Sequence, residues 1–258
     1  MIMAKMRNMI SELNFLFKDL TPHISTIQGL SKDQLVEYHS QLFQYPLAFT
    51  SKLANLAIMY HYTVDRCKQL PKTIEEEKKK HIVLTKTTFN MNETEAFFEA
   101  YLNAFYSFLQ VIAKITPFFY KKEFPELKIA DKDFGSQVDF IKNRKKLPDE
   151  IFSKYVEKDL YPWYKILKDF RHAITHRDAI FVGFEPDGTV VFLEPPKEEE
   201  TRYWLKKNKP YVKMENYVND SFNNLLDFMD FYTNHFRLKI EMSEHTKLMK
   251  KLFLKASN

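Results

Sequence analysis

A chain of 258 residues, with 45% hydrophobic and 16% aromatic side chains, is long enough to bury a sizeable core. Its 4 glycines argue against sandwiches, barrels and glycine-dependent phosphate loops, and no G-x-G-x-x-G, Walker-type loop or G-x-S-x-G elbow is present. A formal net charge of +5 suits a polyanionic partner without demanding one, and Cys67, the sole cysteine, permits no intrachain disulfide and fits a reducing cytoplasm.

Residues 1 to 21 form a short amphipathic segment through Ile10, Leu13, Phe17 and Leu20, expected to end at Thr21-Pro22. Its start lacks a continuous apolar stretch, and nowhere do about 18 apolar residues run together, so neither a standard secretion signal nor a membrane span is expected. Ser31 and Gln34 have the spacing of a capping box that opens a long helix to about Cys67, with Leu35, Leu42, Phe49, Leu53, Leu56 and Tyr60 as its apolar set. Pro71 is expected to end that region, and the run Glu75 to Lys80 reads as a solvated helix turn with opposite charges three apart.

Asn92 and Glu95 give a second start signal, followed by Phe98, Tyr101, Leu102, Phe105, Leu109, Ile112 and Ile115 at helical spacing as far as Pro117. Residues 118 to 147 are the least regular stretch, and the run Lys142, Asn143, Arg144, Lys145, Lys146 reads as a solvated loop, with guidance of a phosphate backbone as the alternative. Pro148 suits the first turn of the next helix.

That helix carries Val156, Leu160, Trp163, Leu167, Phe170 and Ile174 as an apolar seam and is expected to pair antiparallel with the preceding long helix. At about 100° per residue, Trp163, Leu167, Phe170 and Ile174 share one arc, with Ile166 and Ala173 at its edge. Arg171, Thr175, His172, His176, Lys168, Lys165 and Asp169 fall in another arc, directed away from the core. Tyr161 and Tyr164 are placed on that exposed arc too, which favours contact with a second chain because aromatic residues are enriched at interfaces. Beyond Asp178, residues 180 to 194 alternate around Pro186-Asp187-Gly188 as a β-hairpin. Pro195-Pro196 and Glu198 to Glu200 form a connector, and helices from about Val212 carry Phe222, Leu225, Leu226, Met229 and Tyr232 as a packing stripe.

Arg171-His172-Ala173-Ile174-Thr175-His176, closing an apolar-seamed helix with its ionisable groups on the non-core arc, resembles the R-x4-6-H signature of the HEPN superfamily. The resemblance covers Arg171 to His176 closely and the preceding helices from Asn92 more loosely. It implies an all-α, HEPN-like helical bundle, here with a small β-hairpin inserted after the motif helix. The expected layout is one domain over residues 1–258, with the HEPN-like core at about 92–178, the hairpin at about 180–194, and helices of 1–90 and 211–254 packed around it.

The resemblance further implies a metal-independent endoribonuclease with no cofactor, whose RNA-cleaving cleft is shared across a homodimer. It also implies a toxin–antitoxin or defence setting in the cytoplasm, with a neutralising protein as a further partner. Arg171 takes the place of the family arginine, His176 that of the family histidine, and His172 the polar position after the arginine. Lys168, Lys165, Thr175 and Arg177 are the expected substrate-binding residues around them. Some HEPN toxins carry a modifiable tyrosine two places after the histidine, where this chain has Asp178.

The residue types suit the chemistry. An imidazole titrating near pH 6.5 can take the ribose 2′-hydroxyl proton at His176, and a guanidinium, always charged, offers Arg171 a fork of donors for two phosphate oxygens. His172 can orient the phosphate or protonate the leaving group. About 140° of helix separates Arg171 from His176, so a tight pair calls for two facing helices.

Two other readings remain. His172 and His176 at i and i+4 can share a metal ion, and with a third histidine such as His61 they would make a helical-bundle metalloprotein resembling the DinB family; Ala173 stands where a zincin has its glutamate. A HEPN-like module that binds RNA, a nucleotide or a protein without cutting it would use the same arginine and histidine.

Overall fold

The computed structural model describes residues 2–25, 31–80, 85–120, 129, 133–142, 147, 149–176, 182–192 and 211–256; within the helices, the side chains of residues 2–4, 13, 17, 19–25, 42, 85–87, 173, 176 and 242–256 are excepted. The described chain is predominantly helical with one small antiparallel sheet, as the all-α expectation has it. In order it comprises α1 (Ile2–Ser25), α2 (Lys32–Lys79), α3 (Thr85–Tyr120), α4 (Phe134–Lys142), α5 (Glu150–Tyr155), a π-helical turn (Val156–Leu160), α6 (Tyr161–His176), β1 (Val182–Phe184), β2 (Val190–Phe192), β3 (Val212–Lys213) and α7 (Met214–Ala256). None of these helices, among the described residues, is long and apolar enough to cross a membrane.

The helix starts follow the sequence in one case and not in the other. The Ser31 amide donates to Gln34 Oε1 at 3.0 Å and the Gln34 amide to Ser31 Oγ at 3.2 Å, a reciprocal box that satisfies two otherwise orphaned donors. Asn92 caps nothing: α3 is already helical from Thr85, and Asn92 lies two turns inside it. Prolines expected as stops sit within helices. α1 continues through Pro22 to Ser25, α2 through Pro71 to Lys79, and α3 through Pro117 to Tyr120. Proline's fixed φ is itself helical; what it removes is one amide, and around Pro71 burial of the flanking turns outweighs that loss, with Leu70 and Ile74 at 0% and 2% exposure.

Two compact units are built from these elements: residues 1–51, 110–158 and 225–258 form one, and residues 52–109 and 159–224 the other. In the first, Phe119 stacks on Phe236 with centroids 4.1 Å apart, and Phe152 and Tyr232 close around Phe236 at 5.1 and 4.7 Å. α4 lies within the stretch expected to be irregular, and buries Phe134, Val138 and Ile141 in this unit. Arg144, Lys145, Lys146 and Pro148 lie outside the described residues, and the N-cap of α5 is Asp149, whose Oδ1 accepts from the Phe152 amide at 3.0 Å.

In the second unit, α3 and α6 run antiparallel as expected: Phe98 meets Phe170 at 6.0 Å, and seven residues further along α3, Phe105 meets Trp163, seven residues back along α6, at 5.7 Å. Phe192 and Tyr217 complete the aromatic core around Phe170 at 5.1 and 5.2 Å. The hairpin forms over β1 and β2 with Gly183 opposite Val191, and its turn closes through Gly188 N donating to Glu185 O at 2.8 Å. Gly188 has φ of +86°, the left-handed region that a glycine enters freely, and a Cβ there would stand 2.6 Å from Pro71 Cα. Val212, expected to begin a helix, instead pairs with Phe192 in β3, which leads into α7. The charge run at the end of α2 is solvated at Glu75 and Lys79, paired at 2.6 Å, but Glu77 is buried.

Candidate functional site

α6 carries six of the expected site residues. Lys165, Lys168, His172 and Thr175 are exposed, and Arg171 is half-buried. Lys168, Arg171, His172 and Thr175 stand at i, i+3, i+4 and i+7, so they form one continuous patch of the helix surface, with Lys165 a turn before it. His176 ends the helix and its side chain lies outside the described residues, as do Arg177 and Asp178.

The face that α6 buries is turned from the one the regular wheel predicts. Leu160, Tyr164, Leu167 and Phe170 are buried at 1% exposure or less, whereas Ile166 is 40% exposed and Trp163 half-buried. Tyr164 is therefore a core residue and not a marker of a second chain. The π turn (Val156–Leu160) precedes α6 and leaves the mutual phase of these residues unchanged; the buried face is set by what packs on it, with Phe98, Phe192 and Tyr217 around Phe170.

That packing puts Arg171 at the edge of the buried arc rather than on the outward one. There its guanidinium lies over the ring of Tyr106 on α3, with Cζ 3.6 Å from the ring centroid, well inside cation–π range. Among the described residues no carboxylate pairs with Arg171 and no hydrogen-bond acceptor takes its donors. The charge is held by an aromatic face. Tyr106 carries no local motif that would mark it; its distance in sequence from Arg171 hides the pair.

A metal set does not assemble among the described residues: no three His, Cys, Asp or Glu side chains gather there. His61 is exposed on α2, its ring edge-on to Tyr60 at 5.3 Å.

The first unit holds a second polar cluster, around Asp149. Its Oδ2 accepts from the Tyr120 hydroxyl at 2.9 Å and from His235 Nε2 at 2.9 Å, with Lys239 Nζ at 3.6 Å. Burial alone would raise the carboxyl, but the His235 hydrogen bond, the Phe152 amide and the charges of His235 and Lys239 outweigh it and hold the group well below the usual carboxylate range. With its oxygens occupied by these donors, Asp149 serves as a cap and anchor rather than as a base.

Comparison of the chain with protein families, with curated proteins and with solved structures finds no match. The residues and their geometry carry the functional reading.

Proposed function

We propose that the chain is a HEPN-type, metal-independent endoribonuclease acting as a homodimer, with the outward patch of α6 as each subunit's share of the cleft. One observation supports this reading above the others: Arg171, set on Tyr106 and unpaired by any carboxylate among the described residues, stands in one patch with Lys168, His172 and Thr175. A half-buried arginine without an acidic partner suits an anion supplied from outside.

In the proposed reaction the ribose 2′-oxygen attacks the adjacent phosphorus while His176 takes its proton. The P–O5′ bond breaks, and the leaving oxygen collects a proton from His172 or from a histidine of the second subunit. Arg171 balances the charge that builds on the non-bridging oxygens. The products are a 2′,3′-cyclic phosphate and a 5′-hydroxyl, with no oxidation or reduction and no metal in the step.

The test is incubation of the purified chain with RNA in chelator, with end-group analysis and measurement of mass in solution. Cleavage leaving cyclic phosphate ends, lost in His176→Ala with the fold retained, supports the reading. RNA bound but never cut favours the non-catalytic module instead. A stoichiometric metal lost in His172→Ala favours the metalloprotein.

A further inference from the structure

We infer that Tyr106 is a positioning residue for Arg171, an inference that rests on the reading of Arg171 as the phosphate-binding group. α3 and α6 are antiparallel, and helical side chains lean toward the N-terminus of their own helix. Arg171 on α6 and Tyr106 on α3 therefore lean toward each other along the helix pair, and the guanidinium lies 3.6 Å from the ring centroid. An exposed arginine otherwise spreads over many rotamers, so a ring beneath it fixes both the plane of the fork and its height above the helix.

Tyr106 is free to do this because the packing of α3 rests on its neighbours. Phe105, Phe108 and Leu109 are each at 0% exposure, while Tyr106 is half-buried. Its ring covers one face of Arg171. The ring, not the hydroxyl, is the working part. The contribution is made at the transition state, where a fork displaced by an ångström no longer matches the phosphate oxygens.

The experiment uses the full chain, a labelled single-stranded RNA of mixed sequence and chelator, with kcat, KM and RNA affinity measured for the wild type, Tyr106→Leu, Tyr106→Phe, Arg171→Ala and Tyr106→Leu/Arg171→Ala. Tyr106→Leu is expected to lower kcat about tenfold with KM changed less than about threefold, and Tyr106→Phe to restore kcat to within about twofold. In the Arg171→Ala background, Tyr106→Leu should cost nothing further in kcat; additive losses, as a folding defect would give, overturn the inference. So does an unaltered Tyr106→Leu enzyme, or a Tyr106→Phe enzyme as impaired as Tyr106→Leu, which would assign the role to the hydroxyl. If the wild type neither cuts nor binds RNA, the reading of Arg171 fails and this inference falls with it. If Arg171→Ala is defective and Tyr106→Leu is not, the inference alone fails.

Discussion

The side-chain amide of Gln137 donates to the main-chain carbonyl of Ala113 at 2.8 Å, in the turn of α3 that Pro117 leaves one hydrogen bond short. An uninterrupted helix would satisfy Ala113 O with the amide of residue 117, and proline has none. Gln137, at 1% exposure on α4, supplies the missing donor from another helix. Gln137→Leu should therefore destabilise the chain by about 2 kcal/mol, the cost of an unsatisfied buried carbonyl. In a Pro117→Ala background, where the helix regains its own amide, the same substitution should cost about 1 kcal/mol less. Urea unfolding of the four proteins measures the coupling, and strict additivity would show that the side-chain amide is not substituting for the backbone.

Asp149 sets an acid limit on the first unit. Its carboxyl is held below the usual range in the folded state, so the stability it contributes is fully present above the unfolded value, near pH 4, and is lost as pH falls toward the folded value. Asp149→Asn retains a capping side chain but removes the charge facing His235, Lys239 and the Tyr120 hydroxyl. It should cost about 2 kcal/mol at neutral pH, and the gap between variant and wild type should narrow below about pH 4. Denaturant midpoints across a pH series check this; a constant gap would remove Asp149 from the acid response.

What was legible in the sequence was what is local. The Ser31–Gln34 box, the apolar period of α3 and the Pro186-Asp187-Gly188 turn each act within a few residues, and each forms where its residues stand. What was not legible depends on distant partners. Pro117 reads as a stop until Gln137 is brought beside it, and α4 is hidden because its apolar positions make sense only against a core from other segments. Asp149 and His235 are 86 residues apart. At the site, the residue types on α6 were readable but the buried face was not: packing against distant segments puts Tyr164 in the core and Arg171 over Tyr106.

Gly188 joins the hairpin turn to α2 by having no side chain. Gly188→Ala meets two costs, a left-handed backbone for an L residue and a Cβ 2.6 Å from Pro71 Cα, a main-chain atom that cannot rotate away. A loss of about 2 to 3 kcal/mol is expected. Pro71→Ala should not rescue it, since the nearest atom belongs to the backbone. Recovery of the urea midpoint in the double variant would place the clash on the proline ring instead.

Lys165 and Lys168 separate charge attraction from chemistry in the proposed site. Both are exposed on α6 and neither is held by an aromatic ring as Arg171 is, so their long side chains can reach a phosphate backbone without fixing its geometry. Each phosphate neutralised on single-stranded RNA steepens the fall of log affinity with log salt by about 0.7, so Lys165→Ala/Lys168→Ala should flatten that slope by about 1.4 if both lysines make such contacts. Because such contacts hold the strand uniformly, kcat at saturating RNA should change less than about threefold while KM rises at low salt. Arg171→Ala should behave oppositely, lowering kcat by about a hundredfold even at saturation, because its fork acts on the charge of the transition state. Anisotropy titrations across a salt series, paired with turnover at saturation, read both effects. A slope unchanged in the double lysine variant would take RNA off this face of α6, whatever else the protein binds.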